Sequence, residues 1–146
     1  MKASQFFNEE QKKLITDAVK EAELNTSGEI RVHIESDCKE DVLDRAAYIF
    51  EKLAIHKTEL RNGVLFYLSI TDKKFAILGD AGINKVTPEN FWEEIKETVL
   101  NRFKDKEFEK GLSMGIKMTG QALKEHFPYQ KDDVNELSDE ISFGKE

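Results

Sequence analysis

Three oxygen-bearing side chains stand where the chain changes direction. Glu29 follows the turn-prone stretch Asn25-Thr-Ser-Gly28, Asn62 precedes an apolar run, and Asp80 follows another. Each has a glycine within two residues, in Gly28, Gly63, Gly79 and Gly82, which lets the backbone turn tightly and expose its carbonyls. Two carboxylates, an amide oxygen and such carbonyls suit a hard cation, calcium or magnesium. The plainer alternatives are that Glu29 pairs with Arg61 and that Asp80-Ala-Gly82 is only a turn. A second acidic group, Glu35, Asp37, Asp41 and Asp44, is a weaker rival that helix capping and solvation explain. Arg45 and Lys57 could hold an anion, although isolated basic residues are ordinarily surface groups.

Other chemistries lack their spacing. His33, His56 and His126 lie far apart and, with the single Cys38, show no zinc-ligand pattern. His33 is expected to take a surface or packing role. Six residues separate Cys38 from Arg45, one more than the loop of a cysteine phosphatase. Cys38 therefore reads as a small, semi-buried thiol. There is no Gly-rich phosphate loop, EF-hand loop or nucleophile elbow.

The elements around these residues determine whether they meet. Asn8, with Gln11 as capping-box partner, opens a first helix with Leu14, Ile15, Ala18, Val19 and Ala22 inward. Glu29 to Glu35 alternates as a half-buried strand, with Ile30, Val32 and Ile34 on the core side. Asp41 caps a second helix with the stripe Leu43, Ala46, Ala47, Phe50, Leu53 and Ala54. Val64 to Ile70 reads as a strand buried on both faces, and Phe75 to Leu78 returns antiparallel through the turn at 71–74. A strand, helix and strand in succession imply parallel pairing with a right-handed crossover. The first two strands then start at one sheet edge, where the third ends, so Glu29, Asn62 and Asp80 can converge. Thr87 and Pro88 are expected to open a third helix with Phe91, Trp92, Ile95, Val99 and Phe103 inward. A fourth runs from Phe108, with Leu112, Ile116, Thr119 and Leu123 inward. The fold class is therefore α/β with a mixed sheet.

The 146 residues suit one domain, followed from Tyr129 by a tail that carries -4 of the net charge of -7. The division expected is a domain over 1–128 and a solvated acidic tail over 129–146. Val134, Leu137, Ile141 and Phe143, spaced among the acids, offer a route for the tail to dock on the domain or a partner. The acidic balance argues against nucleic-acid binding. No run approaches a membrane span or a signal peptide, so a cytoplasmic location is the default expectation.

Thr26-Ser-Gly-Glu-Ile-Arg-Val32, Glu59-Leu-Arg-Asn-Gly-Val-Leu65, Gly79-Asp-Ala-Gly-Ile83 and the stretch from Pro88 to Trp92 together resemble the TPM-domain family. The resemblance covers roughly 6–128, and Asn135 to Ser142 looks like the tail of the short bacterial members. It implies a three-layer α/β/α sandwich with a divalent-cation site, often calcium, in a crevice beside the sheet. By position it carries ligand roles to Asp80 and, with the sheet geometry, to Glu29 and Asn62. The expected function is a soluble cation-binding domain that regulates or scaffolds a protein partner through the crevice or the acidic tail. Plant members have been credited with acid-phosphatase activity, so a metal-assisted phosphatase is one alternative. A metal-independent interaction module is another.

Overall fold

The computed structural model describes residues 2–130 and 136–144. Its centre is a four-stranded sheet in the order β3-β2-β1-β4, with β1 at Glu29–Glu35, β2 at Gly63–Ser69, β3 at Lys74–Gly79 and β4 at Ser142–Phe143. β1 runs parallel to β2 and to β4, and β3 runs antiparallel to β2, so the sheet is mixed. All seven residues of β2 are buried, the pattern of a strand covered on both faces.

Helices cover both faces. Ile30, Val32, Ile34, Val64, Phe66 and Leu68 point into the larger core, shared with α2 (Glu9–Glu23), α5 (Glu93–Lys104) and α6 (Phe108–Leu123). Leu65, Tyr67 and Ala76 point the other way, onto Ala46 and Ile49 of α3 (Val42–Lys52). This is the three-layer α/β/α sandwich. A short α1 (Ala3–Phe6) adds Ala3 to the larger core, and α4 (Ala81–Asn84) follows β3. Among the described residues, no helix is long and apolar enough to cross a membrane.

Local chemistry sets the element ends. The Asn8 side chain accepts from the Gln11 amide at 2.8 Å, and the Gln11 side chain accepts from the Asn8 amide at 2.9 Å. Asp41 accepts from the amides of Leu43 and Asp44, opening α3 as expected. Thr87 and Pro88 do not open α5. The Thr87 hydroxyl donates to the Ile83 carbonyl at 2.9 Å, closing the preceding segment. Turns from Pro88 to Phe91 and from Asn90 to Glu93 follow, and the helix starts at Glu93.

Two buried faces also differ from the expectation. Leu14 is 39% exposed and Leu43 56% exposed, while Ile49 is buried. The α3 stripe is therefore Val42, Ala46, Ile49, Phe50 and Leu53, so Ala46, Phe50 and Leu53 lie inward as expected while Val42 and Ile49 take the place of Leu43 and Ala47. β1 is not half-buried, since His33 and Glu35 are buried on its second face. Part of the cover comes from the tail. Ser142 and Phe143 pair with His33 and Ile34, and the Gly144 amide donates to the Ile34 carbonyl at 2.9 Å. A solvated tail is therefore not what these residues form. Lys131, Asp132, Asp133, Val134, Asn135, Lys145 and Glu146 lie outside the described residues.

Candidate functional site

The sheet brings the three expected ligands to one edge by their backbones. Glu29 aligns with Gly63, and Val64 with Gly79. The Glu29 amide donates to the Asn62 carbonyl at 3.3 Å, and the Asp80 amide to the Gly63 carbonyl at 3.0 Å. Glu29, Asn62 and Asp80 are all buried.

Their side chains take separate partners. Both oxygens of Asp80 accept from the Arg61 guanidinium, at 2.7 and 2.8 Å, and one also accepts from the Ala81 amide at 2.7 Å. Asp80 thus caps α4 and braces the loop at Arg61, whose φ of 52° lies in the left-handed region. Arg61 pairs with Asp80 rather than with Glu29. Gly82 fits because a Cβ there would lie 2.2 Å from the Leu60 carbonyl oxygen. The Asn62 amide nitrogen faces the Ser27 hydroxyl at 3.4 Å. β2 separates β1 from β3, which sets Glu29 and Asp80 roughly 10 Å apart at the backbone. Oxygens on one calcium each lie about 2.4 Å from it. One ion shared by Glu29 and Asp80 would therefore require Asp80 to leave Arg61.

Glu29 turns toward the C-terminal segment instead. Its carboxylate accepts from the Leu137 amide at 2.7 Å and meets the Glu136 side chain. Glu136 in turn accepts from the Glu59 amide at 3.2 Å. Beside this pair is another. Glu23 accepts from the Ile30 amide at 3.2 Å and meets Asp139. Burial, with Glu136 adding repulsion, pushes the Glu29 carboxyl up to about 7. Burial and then Asp139 push Glu23 up to about 9. Among the described residues, no three His, Cys, Asp or Glu side chains form a group able to hold a metal ion. The geometry is that of two carboxylate pairs side by side.

A second polar centre lies at the opposite end of β1. Glu35 accepts from Arg45 Nε at 2.8 Å, Arg45 Nη2 at 2.7 Å and the Tyr67 hydroxyl at 2.7 Å. Burial alone would raise the Glu35 carboxyl, but these donors hold it down to about 2. Burial and Glu35 raise the Tyr67 hydroxyl, and Glu35 raises Arg45. His33 Nδ1 lies 2.9 Å from the Ser142 hydroxyl, and its ring stacks on Tyr67. His33 Nε2 is 3.2 Å from Glu35 but off the hydrogen-bond direction, so the contact is electrostatic. Burial lowers the His33 pKa and favours the neutral ring.

Serine, histidine and glutamate thus stand in sequence without forming a nucleophilic relay. That relay needs a carboxylate directed at the imidazole, whereas Glu35 is committed to Arg45 and Tyr67. The rival acidic group does not gather as a donor set either: Glu35 is held by Arg45, Asp41 caps α3, and Asp37 and Asp44 are exposed. Arg45 is half-buried and paired with Glu35, whereas Lys57 is exposed. Cys38 is buried, with its thiol donating to the Glu40 carbonyl.

Sequence reasoning missed Glu23, Glu136 and Asp139 at the first centre and the His33–Glu35–Arg45–Tyr67 network at the second. His33 and Glu35 share a strand face, and two charged or titratable groups there were a signal that this face meets more than water. The tail acids gave no such signal, because their position depends on β4 docking.

A family model described as the TPM domain matches residues 1–122. No curated protein matches. The NMR structure of BA42 protein from the psychrophilic bacterium Bizionia argentinensis is 46% identical, with a TM-score of 0.91 over 96% of this chain and 97% of that one. The N-terminal domain of a P. gingivalis protein superposes with a TM-score of 0.69 at 15% identity, over 85% of this chain and 80% of its own. The N-terminal domain of the cg2496 protein from Corynebacterium glutamicum gives 0.65 at 8% identity, over 97% and 82%. The last two show a likeness of fold alone.

Proposed function

The chain belongs to the TPM-domain family, and we propose that it is a divalent-cation-responsive binding domain. In this reading a hard cation, calcium or magnesium, is held where the C-terminal segment crosses the start of β1. The observation that carries it is the meeting of Glu29 with Glu136 beside that of Glu23 with Asp139. Glu29 is buried and Glu23 half-buried, and a carboxylate held in that way against another favours either a proton or a cation. Oxygen donors from two chain segments suit calcium, which accepts carboxylates, amide oxygens and carbonyls in flexible geometry. Asn62, at the same edge, supplies a further oxygen. Asp80 serves here as a brace for the loop through Arg61.

The cation would neutralise the carboxylates and so fix the segment from Glu136 to Gly144 along β1. A regulatory or scaffolding role follows, because the ion would set which surface a protein partner meets. Binding to the folded state alone raises stability by mass action. Thermal unfolding should therefore shift upward with calcium in the native chain and in Asp80→Asn, and should lose the shift in Glu29→Gln. A native chain that ignores millimolar calcium and magnesium rejects the proposal. Loss of the shift in Asp80→Asn with retention in Glu29→Gln would move the ion to the Arg61 loop.

A further inference from the structure

We propose that the cavity between α3 and β4 binds a small carboxylate that carries an apolar body. The cavity is about 330 Å³, at the small end of the range in which ligand sites occur. Ile49 and Leu53 of α3 and Phe143 of β4 supply apolar wall, and Arg45, Lys52 and Ser142 supply the polar end.

The polar end is held in place before any ligand arrives. Arg45 uses Nε and Nη2 on Glu35, and its guanidinium lies over the Tyr48 ring at 5.1 Å from the centroid. Its Nη1 forms a longer ion pair with Glu40 at 3.7 Å. Among the described residues, Lys52 has no acidic partner within ion-pair distance. The Ser142 hydroxyl is fixed by His33 at 2.9 Å.

Charge then selects the ligand. Glu35 and Glu40 both answer Arg45 and burial favours the neutral His33 ring, which leaves Lys52 as the cation of the lining without an acidic partner among the described residues. One unpaired cation matches a monoanion. A carboxylate matches the Lys52 ammonium and the Ser142 hydroxyl, and the apolar wall calls for a hydrocarbon or aromatic body rather than a bare oxoanion. The site needs β4 in place, as the structure has it, and uses none of the residues proposed above to hold the cation.

The test uses the full chain, isotopically labelled, with benzoate, its neutral isostere benzamide, and inorganic phosphate as probes. Benzoate should shift the amides of Tyr48, Ile49, Lys52 and Phe143 saturably. Benzamide should bind roughly tenfold more weakly, the factor expected for loss of one charge-assisted contact. Lys52→Gln, at the exposed rim, should bring benzoate close to benzamide while leaving the amide spectrum that of a folded chain. Equal binding of benzoate and benzamide would overturn the proposal. So would absence of saturable benzoate shifts at these residues, or phosphate shifting them where benzoate does not.

Discussion

Replacing Arg45 with leucine removes both guanidinium hydrogen bonds to Glu35 and leaves a carboxylate whose side chain is 3% exposed. Breaking one partner of a buried ion pair costs about 3–5 kcal/mol, because the other charge stays desolvated. A second route gives a similar figure. The fall of the Glu35 carboxyl from 4.5 to about 2 corresponds to about 3 kcal/mol of preference for the ionised form. A domain of this size has roughly 7–20 kcal/mol in total, so the loss is large. Urea unfolding at neutral pH should show it as a lower midpoint with an unchanged slope. Because the lowered pKa contributes stability above 4.5 and loses it as pH falls through about 2, the deficit of Arg45→Leu should shrink on acidification. Glu35→Gln in the same background should restore part of the loss. Lys13→Ala is the control, since it breaks an exposed pair at 2.6 Å and should leave the midpoint nearly unchanged. If Arg45→Leu behaves like Lys13→Ala, or if its deficit grows at low pH, the reasoning about Glu35 is wrong.

Two further outcomes follow from the packing and the carboxylate pairs. Glu29 and Glu23 have raised carboxyls, so their stabilising effect is complete below about 4.5 and is lost as pH rises through about 7 and then about 9. In the absence of divalent ions, the melting temperature should fall across that window in the native chain and stay flatter in the double variant Glu23→Gln, Glu29→Gln. A Cβ at Gly120 would meet the Ala22 backbone and side chain at 2.8 Å, where α6 crosses α2. Gly120→Ala should cost a net of up to about 2 kcal/mol, because overpacking costs about 1–3 and helix propensity returns about 1. A stabilised variant in denaturant titration would show that the crossing has room.

What the sequence revealed was local chemistry and what it hid was tertiary cover. The Asn8–Gln11 capping box, the uninterrupted apolar run of β2 and the Thr71–Lys74 hairpin were legible because neighbours in sequence determine them. The edge shared by Glu29, Asn62 and Asp80 was legible from strand direction, and the backbone hydrogen bonds place them there. The partners of those side chains were not. Arg61 reaches Asp80 because its backbone adopts a left-handed turn, and no spacing rule announces that. The rotation of the α3 stripe from Leu43 and Ala47 to Val42 and Ile49 changes which helix face covers Tyr67. The second face of β1 looked solvent-exposed because part of its cover, the segment with β4, lies more than a hundred residues downstream. The acids among Val134, Leu137, Ile141 and Phe143 made the tail read as solvated, yet Leu137, Ile141 and Phe143 meet the cores.

The most direct measurement of the central claim is hydrogen exchange at the amides of Leu137 and Gly144, with and without calcium. Leu137 donates to the Glu29 carboxylate and Gly144 to the β1 backbone, so the two report the segment at its proposed ion site and at its far end. Calcium should slow exchange at both in the native chain and at neither in Glu29→Gln. Unchanged protection at saturating calcium, or equal slowing in Glu29→Gln, would contradict a cation held by Glu29 and Glu136.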